Sequence, residues 1–237
     1  SRGLGDVYKR QGESAMETLV KDIIDAQTNP TIAPYAKYGE SILRITAKAK
    51  SEEEAHELIA PVKAALIERL GNAVYAEGET NMQTVVAQML LEGKKTIAVA
   101  ESCTGGLVTS ALVEYPGISE VLLEGCVTYT NEAKMHRLGV KAETLDKYTA
   151  VSREVAAEMA EGVAKTSGAS IGVSTTGIAG PDGGTEEKPV GLVYIGIHVN
   201  GKTTVTEYRY TGKRNQIRER AAFYALDLLR KALQDEA

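Results

Sequence analysis

Cysteine, histidine, long apolar runs and excess positive charge are all scarce in this chain of 237 residues, and each scarcity removes a class of protein. Two cysteines, Cys103 and Cys126, are too few for a disulfide framework and lack Cys-x-x-Cys spacing, which suits a reducing compartment. Three histidines, His56, His136 and His198, stand in no Ser-His-Asp order, and no metal-binding cluster emerges, so neither a metal nor a cofactor is expected. The longest apolar runs are of strand length and no secretory h-region is read, so no membrane is expected as a partner. Lys and Arg total 27 against 32 Asp and Glu, a formal charge of −5. That balance argues against nucleic acid or anionic membrane held by bulk attraction. What remains is a soluble cytoplasmic protein, long enough for one large domain or one domain with a small companion.

Against these absences stands Ala100-Glu101-Ser102-Cys103-Thr104-Gly105-Gly106, which sets a hydroxyl and a thiol between an apolar, β-branched run and a helical pattern. The unpaired N–H groups of a first helical turn would offer an oxyanion or phosphate ready donors there. A capped βα turn is the competing explanation, since Ser-x-Thr-Gly-Gly also caps well.

Residues 1–14 show no hydrophobic period and are set aside as an unassigned leader, disordered or artefactual. From 15 to 79 the pattern reads helix, strand, helix, strand, with the polar stretch Glu77–Asn81 as boundary. Beyond it, strands are expected near 95–100, 123–130, 169–176, 190–199 and 203–210. Helices are expected near 81–92, 104–114, 131–138, 152–166 and 214–234. The alternation predicts a three-layer α/β/α sandwich, and a hairpin at Asn200-Gly201 makes its sheet mixed.

Three segments follow strands and should converge at the carboxyl edge of the sheet. The first is the heptapeptide; the second is Gly125–Lys134, with Tyr129 and Lys134 flanking a Thr130 or Asn131 cap. The third runs from Ser174 to Pro189 and is rich in glycine and hydroxyls, including Thr176, Gly177, Gly180 and Gly183. A serine, a phenol, an amine and glycine N–H groups together are the parts for acyl transfer. Lys134 can replace histidine as base only if desolvation or a neighbouring cation lowers its pKa; otherwise it is a solvated surface charge. Cys103 competes with Ser102 as nucleophile, because a helix N-terminus also depresses a thiol pKa. Arg214, with Lys213, could bind phosphate or simply be a solvated charge.

These segments, with Ala150-Val151-Ser152 and Lys188-Pro189-Val190-Gly191, resemble the CinA carboxy-terminal domain, a family that includes nicotinamide mononucleotide amidohydrolases. The resemblance covers residues 80–237, and residues 15–79 resemble the KH-like middle region of longer CinA proteins. The usual first domain of those proteins is not represented, so its associated ADP-ribose pyrophosphatase activity is not expected. What the resemblance implies is hydrolysis of the carboxamide of nicotinamide mononucleotide to nicotinate mononucleotide and ammonia, in a protein that pairs as a homodimer. It carries the chemistry onto Ser102, Tyr129 and Lys134, with Tyr129 helping Lys134 move the proton. Thr104, Gly105, Gly106, Asn131, Thr176, Gly177, Gly180, Gly183 and Arg214 would bind substrate, the N–H groups of Thr104 to Gly106 holding the oxyanion. The alternatives are a non-catalytic nucleotide-binding or interaction domain, and a hydrolase for another small amide. A nucleic-acid role is weaker, because residues 15–79 lack a Gly-x-x-Gly loop and carry Glu52-Glu53-Glu54.

Overall fold

The computed structural model describes residues 2–9, 13–37 and 40–235. The chain divides into two compact units, Ser1–Asn81 and Met82–Ala237.

In the first unit the elements are β1 (Arg2–Lys9), α1 (Glu13–Asp25), β2 (Thr31–Lys37), β3 (Glu40–Lys48), α2 (Glu52–Leu70) and β4 (Val74–Glu77). The sheet is antiparallel in the order β2-β3-β1-β4. Most of the leader set aside above is therefore a strand, paired with β3 from Arg2↔Lys48 to Lys9↔Ser41. Its place comes from backbone pairing with strands far downstream, which a local search for periodicity does not register. Residues 1 and 10–12 of that leader lie outside the described residues. Strand β2 is an element that the helix, strand, helix, strand reading of residues 15–79 does not contain; its Pro34 lacks an N–H, and β2 occupies an edge where that costs least. Met16, Val20, Leu43, Ile45, Ile59 and Leu66 form the core against the helices. Helix α2 starts at Ser51, whose side chain accepts from the Glu54 N–H at 3.2 Å.

The second unit runs α3 (Met82–Glu92), β5 (Ile97–Glu101), α4 (Leu107–Val113), β6 (Leu122–Val127), α5 (Asn131–Leu138), α6 (Ala142–Tyr148) and α7 (Arg153–Ser167). It continues with β7 (Ile171–Gly177), β8 (Leu192–Val199), β9 (Lys202–Arg209) and α8 (Arg214–Gln234). The five-stranded sheet has the order β6-β5-β7-β8-β9; β5 is parallel to β6 and β7, while β7-β8 and β8-β9 are antiparallel. This is the expected mixed sheet. Strand β5 is buried along its whole length, as a central parallel strand covered on both faces must be. The β8-β9 turn has positive φ at both Asn200 and Gly201, the geometry that matches hairpin twist.

Helices α5, α6 and α7 pack on one face of the sheet around Ala98, Ala100, Leu138, Leu145, Val155 and Met159, while α3 and α4 pack against α8, which lies on β7 and β8. Helix α6 escaped the sequence pattern because Leu145 is its one buried side chain, too little to make a period. Helix α4 starts at Leu107 rather than 104: Gly105 and Gly106 have φ of 60° and 98°, left-handed conformations that a right-handed helix cannot include. Among the described residues no helix is long and apolar enough to cross a membrane.

Candidate active site

Strand β5 delivers Ser102 to the carboxyl edge of the sheet, where its N–H donates to the Thr175 carbonyl of β7 at 3.0 Å. The chain then reverses: Gly105 N–H donates back to the Ser102 carbonyl at 3.1 Å. Glu101 holds this elbow from beneath. Its carboxylate is fully buried and accepts five hydrogen bonds, from the N–H groups of Gly106, Val108 and Thr109 (2.9, 3.1 and 2.9 Å) and the hydroxyls of Thr104 and Thr109 (2.6 and 2.7 Å). A negative charge here satisfies the orphan donors of α4 and meets the positive end of its dipole.

This capping corrects part of the expected oxyanion site. The N–H groups of Gly105 and Gly106 are both occupied within the chain, and the Thr104 hydroxyl is buried between Glu101 and Thr175 Oγ1, the latter at 2.7 Å. Among the described residues, the N–H groups of Cys103 and Thr104 have no protein acceptor. These are the donors beside the nucleophile that remain for an oxyanion.

Helix α5, capped by Thr130 Oγ1 accepting from Ala133 N–H at 3.1 Å, turns Lys134 inward. Lys134 is only 1 % exposed, and its Nζ lies 3.2 Å from Ser102 Oγ, 2.9 Å from the Thr128 carbonyl and 3.3 Å from the Tyr129 carbonyl. Burial pushes its pKa below the ordinary lysine value; nearby Cys103 would oppose this only as a thiolate. A neutral amine has two N–H donors and one lone pair. Nζ donates to Ser102 Oγ and to both carbonyls; once neutral, it keeps two donors for the carbonyls and has a lone pair for the Ser102 O–H. The Cys103 thiol is pushed up to about 12, chiefly by burial, so it is not a thiolate near neutrality.

Thr128 donates its backbone N–H to the Glu101 carbonyl at 2.8 Å, but its buried Oγ1 has no partner among the described residues. An unpaired buried hydroxyl costs about 1–3 kcal/mol. Thr128→Val is therefore expected to leave turnover intact and raise the melting temperature by about 2–4 °C, the shift of about 1 kcal/mol in a unit of this size. Thermal unfolding checks this; a clear fall in melting temperature would reveal a partner for the hydroxyl.

The second group of contacts forms at the start of α8. Arg214 donates to the Gly180 carbonyl at 2.6 Å and to the Tyr129 hydroxyl at 3.0 Å. Tyr129 thus meets Lys134 through its carbonyl, while its 57 % exposed side chain is engaged by Arg214. The proton relay expected of its phenol has no hydrogen bond to Ser102 or Lys134 among the described residues. One helical turn on, Arg218 donates to the carbonyls of Cys103 (3.1 Å) and Thr104 (2.9 Å).

The third segment divides between structure and open surface. The Thr176 hydroxyl donates to the Ala150 carbonyl at 2.7 Å, so it is occupied rather than aimed at a ligand. A Cβ on Gly177 would come within 2.7 Å of the Leu192 carbonyl, which makes this glycine a requirement of strand packing. Gly183, at φ 87°, and Asn131, in the first turn of α5, are exposed. Lys188 ties the loop down by donating to the Tyr148 and Val151 carbonyls and the Thr149 hydroxyl at 2.7, 2.8 and 2.7 Å. Ser152 of the Ala-Val-Ser motif caps α7, accepting from Val155 N–H at 3.2 Å.

Among the residues drawn from the sequence, Ser102 and Lys134 meet directly, and Tyr129, Gly180 and Arg214 form one connected group. Glu101 and Arg218 were missed as functional residues. Their signals were legible in retrospect: an acid closing an apolar strand just before a helix start, and an arginine four residues after Arg214, on the same helix face. Among the described residues no group of three or more His, Cys, Asp or Glu is placed to hold a metal ion.

A serine beside a buried lysine at the carboxyl edge of a mixed sheet defines an α/β/α sandwich that carries the parts for nucleophilic chemistry. Comparison with known proteins places it more narrowly. The CinA C-terminal domain model matches residues 79–233 and the damage-inducible protein CinA KH domain model matches residues 11–76; the chain belongs to the CinA family. It is 58 % identical over 222 residues to a relative from Clostridium botulinum named as a competence-damage inducible protein, covering 94 % of this chain and 54 % of the relative. The chain thus spans about half the length of the curated relatives it matches. Among solved structures, it is similar to the competence/damage inducible protein CihA from Agrobacterium tumefaciens, at 42 % identity and a TM-score of 0.61, over 65 % of this chain and 97 % of that one. It is also similar to a CinA superfamily protein from Klebsiella pneumoniae, at 32 % identity and a TM-score of 0.63, over 66 % of this chain and 99 % of that one.

Proposed function

We propose that the second unit is an amidohydrolase that converts nicotinamide mononucleotide to nicotinate mononucleotide and ammonia, with Ser102 as nucleophile and neutral Lys134 as base. The observation that supports this most is the Lys134 amine, buried with no ion pair among the described residues and held by two carbonyls with Ser102 Oγ at 3.2 Å. The substrate rests on the CinA resemblance together with Arg214, whose guanidinium donates to the Tyr129 hydroxyl and the Gly180 carbonyl.

In the proposed reaction Ser102 Oγ attacks the carboxamide carbon as Lys134 takes the hydroxyl proton. The carbonyl oxygen becomes an oxyanion facing the N–H groups of Cys103 and Thr104. The ammonium of Lys134 returns its proton to the departing nitrogen, the C–N bond breaks, and ammonia leaves an ester on Ser102. Water then attacks this ester with Lys134 again as base, releasing the carboxylate and restoring Ser102. Arg214, with the exposed phenol of Tyr129 beside it, would meet the ribose phosphate.

Ammonia release from nicotinamide mononucleotide tests the reading. Ser102→Ala is expected to remove turnover, whereas Cys103→Ala retains it because the thiol is protonated and buried. Loss confined to Cys103→Ala would move the nucleophile to sulfur; absence of turnover in the unaltered chain would favour a nucleotide-binding domain without chemistry.

A further inference from the structure

We infer that Arg218 is a positioning residue of the elbow: by holding the Cys103 and Thr104 carbonyls, it aims the Thr104 N–H as an oxyanion donor. The inference rests on the serine–lysine reading of the site, and it concerns a residue that reading does not use.

The turn at residues 102–105 is closed by one internal bond, Gly105 N–H to the Ser102 carbonyl. That bond engages neither group of the middle peptide, the Cys103 carbonyl and the Thr104 N–H. The orientation of that peptide therefore depends on contacts from outside the turn. Arg218 Nε donates to the Cys103 carbonyl at 3.1 Å and Nη2 donates to the next carbonyl, Thr104, at 2.9 Å. Its third nitrogen, Nη1, donates to Asn215 Oδ1 at 3.2 Å, so the fork itself is anchored within α8. A peptide is planar and trans, so a carbonyl pinned toward α8 turns the Thr104 N–H away from α8. That N–H is one of the two at the elbow with no protein acceptor among the described residues.

Two further features suit this role. Gly105 is left-handed at φ 60°, and a Cβ there would sit 3.2 Å from Arg218 Nη2, so glycine leaves room for the fork. Two adjacent carbonyls also match the planar, two-pronged donor of arginine, whereas a lysine ammonium is a single point charge on a flexible stem. Glu101 satisfies the helix side of the elbow and Arg218 its outer side, which leaves the middle N–H directed by opposed constraints.

The test uses Arg218→Met and Arg218→Lys in the full chain, with two readouts. One is the rate at which a fluorophosphonate labels Ser102, a displacement in which Oγ bonds to phosphorus, fluoride leaves and Lys134 accepts the proton, with the phosphoryl oxygen lying where the oxyanion would. The other is kcat and KM for ammonia release from nicotinamide mononucleotide. Misdirecting one oxyanion donor is expected to slow labelling and kcat by about 10- to 100-fold. KM should stay within about twofold, and the pH midpoint set by Lys134 should not move, because Arg218 does not touch Lys134. Arg218→Lys should recover only part of the loss and serves if Arg218→Met does not fold. Labelling of Arg218→Met at the unaltered rate, or a loss accompanied by a shifted pH midpoint, would overturn the inference. Slower labelling of Arg218→Met in a protein that releases no ammonia from the nucleotide would overturn the substrate and leave Arg218 in place. Failure of the unaltered chain to label at Ser102 would overturn both.

Discussion

Lys134→Met is expected to lower turnover of nicotinamide mononucleotide by about 10⁴-fold, the upper range for losing a positioned acid–base group. The variant removes the base that takes the Ser102 proton and the acid that returns it to nitrogen, while a flexible apolar chain of similar length fills the same space. In the unaltered protein the base must be neutral to act, so kcat/KM rises with pH through the folded-state pKa of Lys134. Desolvation puts that midpoint below the ordinary lysine value. The same shift appears in stability. Between the lowered folded pKa and the unfolded value near 10.5, the unfolded chain binds one more proton than the folded one, so stability rises with pH through that window. Lys134→Met should lose that rise along with the activity. A pH–rate profile and unfolding curves at several pH values check both; retention of more than about a tenth of the turnover would remove Lys134 from the mechanism.

The second large effect falls on Glu101. Glu101→Gln is nearly isosteric, yet the carboxylate accepts five hydrogen bonds through two oxygens, and an amide can offer only one oxygen. Its NH₂ would face donors, the Thr109 N–H and hydroxyl or the N–H groups of Gly106 and Val108, whichever way it is turned. Hydrogen bonds to a charged group are worth about 1.5–3 kcal/mol each, and orphaned buried donors add their desolvation. A net loss of about 3 kcal/mol is expected, or about 6–12 °C in the melting temperature of the second unit. Turnover should fall as well, because the elbow that carries Ser102 loses its support. Thermal unfolding monitored alongside ammonia release measures both; a melting temperature within about 2 °C of the unaltered chain would show that Glu101 does not hold the elbow.

Much of the second unit was legible because its strands are short and apolar and each is followed by a turn with its own chemistry. The run from Lys95 to Ala100, the Asn200-Gly201 hairpin and the Lys213-Arg214 helix start all carry local signals. The first unit was read less completely. Strand β1 has no alternation to betray it, and β2 carries Pro34, so both depend on pairing with β3 rather than on their own composition. Helix α6 went unread for a related reason, since a single buried leucine makes no period.

At the site, the residue types and their order along the chain follow from the sequence alone: a serine beside glycines, a lysine five residues beyond a tyrosine, an arginine at a helix start. Which atoms face each other was decided only by the tertiary structure. Burial, and not sequence spacing, lowers the pKa of Lys134 and raises that of Cys103, and so separates the base from a thiol beside the nucleophile. The occupancy of each backbone N–H and carbonyl at the elbow was equally invisible, because Glu101 and Thr175 accept from its N–H groups and Arg218 donates to its carbonyls from three different elements. Local sequence specifies which groups are present; desolvation and long-range hydrogen bonding determine which of them are left free to react.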